Sequence, residues 1–123
     1  MSELRQDPIT HDWVIINPER ARRPEDSTTR SSLCPFCPGN EHLTPEPTDC
    51  FMEGERWSVR VVPNKFPALD TQLPLVPLTE RWSGGWRRLQ GYGYHEVIIE
   101  TPDHGQSLST LPPDKVHQIV EMY

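Results

Sequence analysis

Short runs of apolar and β-branched residues, separated by prolines and other turn formers, dominate this chain. Trp13–Ile16 is one such run and predicts a short buried strand. Residues 57–62 predict a second strand, and the clearest strand lies within residues 93–100. Prolines 74 and 77 and the Gly84-Gly85 pair make residues 70–90 typical of a surface excursion. We therefore expect short strands joined by long irregular segments.

One helix is predicted near residue 112. Pro112 and Pro113 suit its first turn, and the apolar residues that follow recur at helical spacing. These apolar positions are Val116, Ile119, Val120 and Tyr123. No glycine or capping residue follows them, so we expect the helix to belong to a longer protein. Residues 44–48 predict a stiff, extended connector, and residues 25–33 a polar loop.

Composition narrows the class of protein. The chain has 123 residues, of which 34% are hydrophobic and 14 are proline, so we expect a modest core with many rigid loops. Its net charge of -6 argues against nucleic-acid or membrane-surface binding, and no apolar run is long enough to span a membrane. Three cysteines, two of them in a C-x-x-C pair, favour a reducing compartment. We therefore predict a cytoplasmic protein.

The Cys34-Pro35-Phe36-Cys37 segment is the main candidate for chemistry. Two cysteines at this spacing can place both sulfurs on one metal ion, and the neighbouring prolines limit the entropy lost on binding. A redox pair would be expected to open a helix, whereas Pro38-Gly39-Asn40 is a turn sequence. The pattern therefore favours a metal site, which needs further ligands.

Five histidines are candidates for the third ligand. His104 follows the predicted strand at a turn, where sites are often assembled, and it leads by a small margin. His95 lies within that strand, and His42 is close in sequence to Cys37. We expect His11 and His117 to be solvated. The spacing alone leaves this choice open.

Two further groups have both a functional and a structural interpretation. Arg20, Arg22 and Arg23 could bind an anion, because guanidinium groups match phosphate oxygens in pairs. Taken alone, a solvated basic turn paired with nearby carboxylates is the better interpretation. Asn64 and Phe66 could contact a base or ribose, although a strand-ending turn with a core aromatic is again the simpler interpretation.

Together these segments resemble the galactose-1-phosphate uridylyltransferase family, a branch of the histidine-triad superfamily. The resemblance rests on residues 7–10 with 13–24, 34–41, 60–69 and 95–104. It implies an α+β fold: a histidine-triad-like split unit with a mostly antiparallel sheet, a flanking helix and long Pro-rich loops. It also implies that residues 1–123 form most of the N-terminal half-domain, with the C-terminal part and the second domain absent.

The resemblance assigns roles to particular residues. It implies a zinc site in which Cys34, Cys37 and His104 are three of the four ligands. It also implies that Arg20 and Arg23 face the nucleotide phosphates. The implied uridine pocket is lined by Phe36, Leu43, Asn64, Lys65 and Phe66.

The implied activity is transfer of a uridylyl group between UDP-hexose and hexose 1-phosphate through a covalent histidine intermediate. In the family, a His-Pro-His segment supplies the fourth zinc ligand and then the nucleophile. No histidine here has a His-x-His context, so we expect the nucleophile beyond Tyr123, no catalytic residue in this chain, and no activity from it alone. The expected partners of the intact protein are a UDP-sugar, a hexose 1-phosphate and a second copy in a homodimer.

Two alternatives share these motifs. One is an ADP-sugar phosphorylase that transfers an adenylyl group on the same scaffold. The other is a non-catalytic module that binds zinc and nucleotide.

Overall fold

The computed structural model describes residues 2–22, 33–73, 81–83 and 86–123. These ranges form an α+β fold with two antiparallel sheets and one α-helix, and contain no helix long and apolar enough to cross a membrane. The strands are β1 (Glu3–Gln6), β2 (Trp13–Ile16), β3 (Asp49–Glu53), β4 (Arg56–Pro63), β5 (Arg81–Ser83), β6 (Trp86–Gln90) and β7 (Glu96–Ile99); the α-helix is α1 (Pro113–Glu121), and Pro18–Arg22 and Glu41–Leu43 form 3-10 helices.

The chain divides into two compact units. The first unit comprises Met1–Asp26 and Phe66–His95, and the second comprises Ser27–Lys65 and Glu96–Tyr123. The first contains a four-stranded sheet of order β2-β1-β6-β5, and the second contains a three-stranded sheet of order β3-β4-β7. Each unit therefore has its own sheet.

A tight turn joins β1 to β2 in the first unit. The carboxylate of Asp7 accepts hydrogen bonds from the backbone N–H groups of Ile9 (2.7 Å) and Thr10 (2.9 Å). The Asp7 N–H donates to the Asp12 carbonyl at 2.8 Å and closes the loop. An aspartate that bonds its own backbone in this way is a common turn device. It sets the register in which Leu4 opposes Ile15.

The predicted strand at Trp13–Ile16 is confirmed, but its predicted burial is wrong. Trp13, Val14 and Ile15 are 38%, 50% and 48% exposed. Among the residues that the structure describes, the strand lies at the edge of its sheet and pairs only with β1. A run of apolar residues is typical of a buried strand, but its burial depends on what covers the sheet, which the run itself does not encode.

The surface excursion predicted for residues 70–90 is also wrong in part. Strands β5 and β6 lie within this range, and β6 pairs with β1 in a register that opposes Gln90 to Glu3. The excursion was inferred from Pro74, Pro77 and the Gly84-Gly85 pair, all of which lie outside the described residues. Prolines and glycine pairs favour turns, and strands can lie directly beside them in the sequence.

Strand β4 is the centre of the second unit. Val59, Val61 and Val62 are at most 4% exposed, and β4 pairs on one side with β3 and on the other with β7. Helix α1 begins at the predicted prolines and contributes Ile119, which is fully buried. The Ser58 hydroxyl on β4 donates to Gln118 of α1 at 2.6 Å. The strand within residues 57–62 and the helix are therefore confirmed, whereas β7 is shorter than predicted.

Gly91 is a point of close backbone approach in the first unit. Its N–H donates to the Ser2 carbonyl at 3.0 Å, and a Cβ added to it would lie 2.6 Å from the Ser2 carbonyl carbon.

Gly91→Ala should therefore lower the free energy of unfolding by about 1–3 kcal/mol, the usual cost of overpacking. Urea denaturation measures this. Gly105→Ala is the matched control, because its Cβ would meet nothing closer than 3.5 Å; equal stability of the two variants would contradict the prediction.

A carboxylate bridges two arginines on the first sheet. Glu3 accepts hydrogen bonds from Arg5 Nε at 2.7 Å and from Arg88 Nε at 3.0 Å. Arg5 and Arg88 are directly opposite in the ladder, where like charges destabilise a sheet unless a counter-charge separates them. The Arg88 hydrogen bond, opposed by partial burial and aided by Arg5, holds the pKa of Glu3 below its usual 4.5.

Glu3→Gln should reduce the free energy of unfolding by about 0.2–1 kcal/mol near neutral pH, the range of partly exposed ion pairs. Because the folded pKa is lower than the unfolded 4.5, this contribution is complete above that value and is lost as pH falls through the folded pKa. The gap between wild type and variant should close on acidification, as followed by urea denaturation from neutral to acid pH. Glu55→Gln, in an exposed turn, should match wild type; a pH-independent gap for Glu3→Gln would contradict the mechanism.

Candidate functional site

The cysteine loop is a pair of consecutive tight turns in the second unit. The Cys37 N–H donates to the Cys34 carbonyl at 3.3 Å, and the Asn40 N–H donates to the Cys37 carbonyl at 3.1 Å. The Asn40 side chain donates to the Cys34 carbonyl at 2.7 Å. Gly39 has φ of 90°, which favours glycine. These bonds bring the two cysteines to one side of a closed loop.

His104 lies in a turn after β7. The Asp103 N–H donates to the Thr101 hydroxyl at 3.1 Å, and the Gly105 N–H donates to the Asp103 carboxylate at 3.0 Å. These two local bonds fix the backbone on both sides of His104. Its Nδ1 lies 3.3 Å from Cys37 Sγ. The turn therefore carries the imidazole to the cysteine loop.

Cys34, Cys37 and His104 form a group that could bind a metal. Their ligand atoms all lie within 4.8 Å of one another. In a tetrahedral zinc site with Zn–S of about 2.3 Å and Zn–N of about 2.0 Å, the S···N edge is about 3.5 Å. The observed 3.3 Å between Cys37 and His104 is close to that edge. The donor set also fits, because thiolate and imidazole are the usual ligands of structural zinc.

The two thiols interact with each other. The hydrogen bond that the Cys37 S–H donates to Cys34 is the main cause that raises the pKa of Cys37 above its usual 9.0, followed by burial and by the negative charges of Cys34 and Asp103. Two adjacent thiolates repel, so a negative charge on Cys34 disfavours ionisation of Cys37. A cation between them would reverse this effect, because a coordinating thiol loses its proton.

The other four histidines lie outside this group. His95 Nδ1 accepts the Ala68 N–H at 2.9 Å in the first unit. His117 pairs with Glu121 across one turn of α1, and His11 and His42 are exposed. Among the described residues, only His104 joins the two cysteines. The third ligand that was slightly favoured from sequence is therefore the histidine that the structure brings to the loop.

Arg20 lines a cavity in the first unit. The cavity has a volume of about 420 Å³ and is bounded by Ile15, Asn17, Arg20 and Ala68. The Asn17 side chain donates to the Pro67 carbonyl at 3.0 Å and accepts the Glu19 N–H at 3.0 Å. It thereby anchors the first turn of the 3-10 helix that carries Arg20. Sequence patterns did not single out Asn17 or Ala68.

The remaining predicted nucleotide contacts are divided between the units. Arg20 and Phe66 belong to the first unit, whereas Phe36, Leu43, Asn64 and Lys65 belong to the second. Phe36 and Lys65 are exposed, and Leu43, Asn64 and Phe66 are half-buried. Arg23 lies outside the described residues. Their roles in binding stay predictions.

Known proteins resemble this chain in sequence and in structure. It is 38% identical over 130 residues to ADP-glucose phosphorylase of Arabidopsis thaliana, covering 98% of the chain and 37% of that protein. It is 29% identical over 123 residues to galactose-1-phosphate uridylyltransferase of Thermotoga maritima, covering 100% of the chain and 34% of that protein. The crystal structure of the Arabidopsis enzyme with bound ADP-glucose matches with a TM-score of 0.60 at 35% identity, over 100% of this chain and 36% of that one. A uridylyltransferase structure matches with a TM-score of 0.63 at 26% identity, over 98% and 32%.

These matches span nearly all of this chain but only part of each relative. The chain spans about a third of the length of the curated relatives it matches, 37% and 34% for the two above. The family model described as galactose-1-phosphate uridyl transferase, N-terminal domain, matches residues 1–123. The chain therefore belongs to the galactose-1-phosphate uridylyltransferase family.

Proposed function

We propose that this protein is a nucleotidyltransferase that acts on nucleotide sugars and hexose 1-phosphates, and that this chain supplies its structural zinc site and part of its phosphate contacts. The convergence of Cys34, Cys37 and His104 carries the proposal. Free thiols at this spacing suit a reducing compartment, so we propose a cytoplasmic location. A homodimer is proposed for the intact protein.

Zinc is the metal that suits the donor set. Thiolate sulfurs and an imidazole nitrogen select soft or borderline ions, and zinc accepts them in tetrahedral geometry. Bound there, the ion would supply a cross-link between the cysteine loop and the turn at His104. The fourth ligand is a histidine of the family's His-Pro-His segment, water, a neighbouring chain or His42.

Arg20 is the proposed phosphate contact of the first unit. A guanidinium presents paired N–H donors that match two phosphate oxygens, and the adjoining cavity has room for a ligand. Arg23 is proposed to act with it. The base and ribose are assigned to Phe36, Leu43, Asn64, Lys65 and Phe66.

The transferred group has two candidates. A uridylyl group agrees with the uridylyltransferases among the relatives. An adenylyl group is supported by the higher identity to ADP-glucose phosphorylase, 38% against 29%. For either group we propose transfer through the covalent histidine that the family resemblance implies. None of the five histidines here has the His-x-His context of that nucleophile. Transfer is therefore proposed for the whole protein, and this chain alone should be inactive.

Removal of one thiol should abolish metal binding. Native mass spectrometry should find one zinc ion per chain in the wild type and none in Cys34→Ser. We expect weaker retention than the roughly 10–16 kcal/mol of complete structural sites, because the described part of the chain offers three ligands. Cys50→Ser is the matched control, since this half-buried thiol on β3 is outside the donor group. Equal zinc content in Cys34→Ser and Cys50→Ser would contradict the site.

Nucleotide sugars should stabilise the chain against unfolding by binding at Arg20. A ligand at a hundred times its Kd raises stability by about 2.7 kcal/mol, and loss of a charged phosphate contact should remove about 1.5–3 kcal/mol of binding. Thermal melting with UDP-glucose and with ADP-glucose should therefore show a shift that Arg20→Ala largely removes. The larger shift identifies the base.

Arg22→Ala provides the control for this measurement. Arg22 belongs to the same 3-10 helix and is exposed, so its loss should preserve the shift. Identical melting with and without either nucleotide would refute the phosphate site.

A further inference from the structure

Glu41 links the cysteine loop to strand β4. Its Oε2 atom accepts the N–H of Gly39 at 2.8 Å, and its Oε1 atom accepts the indole N–H of Trp57 at 3.0 Å. Gly39 lies in the turn directly after Cys37, and Trp57 lies on β4. One carboxylate thus holds the loop at one oxygen and the strand at the other.

Trp57 also makes a contact through its ring face. The guanidinium carbon of Arg60 lies 5.1 Å from the centroid of the indole. Arg60 Nη1 donates to the Thr44 hydroxyl at 3.1 Å, and that hydroxyl donates to the Glu41 carbonyl at 2.9 Å. The contacts therefore close a ring that runs from Glu41 through Trp57, Arg60 and Thr44 back to Glu41.

A bulge in β4 makes this ring possible. In a regular strand, residues three apart lie on opposite faces, which would separate Trp57 from Arg60. Here Phe51 opposes Val59 while Met52 opposes Trp57, so Ser58 is an extra residue on β4. The extra residue reverses the alternation of side chains. It allows the indole and the guanidinium to meet on one side.

The contact between Arg60 and Trp57 is important because the Arg60 side chain is buried. Arg60 is only 3% exposed, and its Nε and Nη2 atoms are buried without a hydrogen-bond acceptor among the described residues. A buried cation needs compensation, and the indole face supplies it as a cation–π contact. The Trp57 hydrogen bond is the main cause that holds the pKa of Glu41 below its usual 4.5. Glu41 is therefore ionised near neutral pH and can accept both N–H groups.

Strand β4 also helps to position His104, the third donor of the group. In the β4–β7 ladder, Arg60 opposes Ile99, and the chain reaches His104 shortly after β7 ends. We propose that Glu41 and Trp57 are positioning residues that hold the cysteine loop in place for the metal. This inference rests on the metal site proposed above. Outer partners that orient metal ligands typically change metal affinity by about 10–100-fold when they are lost.

Cobalt titration of the full 123-residue chain tests this inference. Trp57→Phe removes the indole N–H but keeps a ring for Arg60 and the charge of Glu41. Glu41→Gln keeps one acceptor and loses the second. Both variants should bind Co²⁺, and Zn²⁺ in competition with a chelator, about 10-fold or more weakly than wild type. At saturation, their visible Co²⁺ spectra should also depart from the wild-type tetrahedral pattern.

Ser58→Ala is the matched control on the same strand. It removes only the hydroxyl that bonds Gln118 of α1, and it keeps the extra backbone residue of the bulge and the Glu41 contacts. It should lower the melting temperature while the metal Kd and the cobalt spectrum stay at wild-type values. If Ser58→Ala weakens metal binding as much as Trp57→Phe, general destabilisation explains both effects and the inference is overturned.

The remaining outcomes separate the two proposals. Wild-type affinity and spectrum in both Trp57→Phe and Glu41→Gln would overturn the positioning role and leave the metal site standing. A wild-type chain that takes up neither cobalt nor zinc would overturn the metal site, and the positioning role with it. Glu41 is only half-buried, so Glu41→Gln decides the matter if Trp57→Phe does not fold.

Discussion

The second unit depends on strand β4, whose valines are buried and which pairs with β3 on one side and β7 on the other. Val59, Val61 and Val62 of this strand account for most of the buried apolar side chains of the unit, together with Ile99 and Ile119. A core of this size leaves little margin, because small domains bury a smaller fraction of their surface. The pairing of β4 therefore sets the positions of the segments that precede and follow it.

Arg60 is an unusual member of that core. An aliphatic side chain of similar volume would avoid the desolvation cost of a buried cation and would often be as stable or more so. The cost is offset here by the Thr44 hydroxyl and the Trp57 ring. An aliphatic replacement would lose one of the two connections between the strand and the 3-10 helix Glu41–Leu43, the hydrogen bond from Arg60 to Thr44. The arginine thus contributes to the geometry of the loops more than to stability.

The sequence predicted those features that are encoded locally. The C-x-x-C spacing indicated a metal site at Cys34 and Cys37, and the turn after a strong strand favoured His104 by a small margin. Each of these features needs only its immediate neighbours to adopt its conformation, and the structure brings the three side chains together. The burial predicted for Trp13–Ile16 is wrong, because burial depends on what covers the sheet, which a short apolar run does not encode.

The contact between Glu41 and Trp57 could not be predicted from the sequence for the same reason. Glu41 follows a recognisable turn, but the indole that it accepts comes from Trp57, sixteen positions further along the chain. A partner at that distance is chosen by the fold, and in this case by the bulge at Ser58. Composition and periodicity carry no signal for such a choice.

Two candidate site residues, Arg20 in the first unit and Leu43 in the second, lie on segments too short to hold their own shape. The 3-10 helices Pro18–Arg22 and Glu41–Leu43 have five and three residues, and runs of this length gain little from their own hydrogen bonds. Each is tied to a distant segment by polar side chains. Asn17 bonds the Pro67 carbonyl, and the second helix is held through the bonds of Glu41 to the Trp57 indole and of Thr44 to Arg60. Rigidity in these loops therefore comes from a few side-chain hydrogen bonds, so a conservative change at one of them should disturb a candidate site without altering the residues proposed to bind.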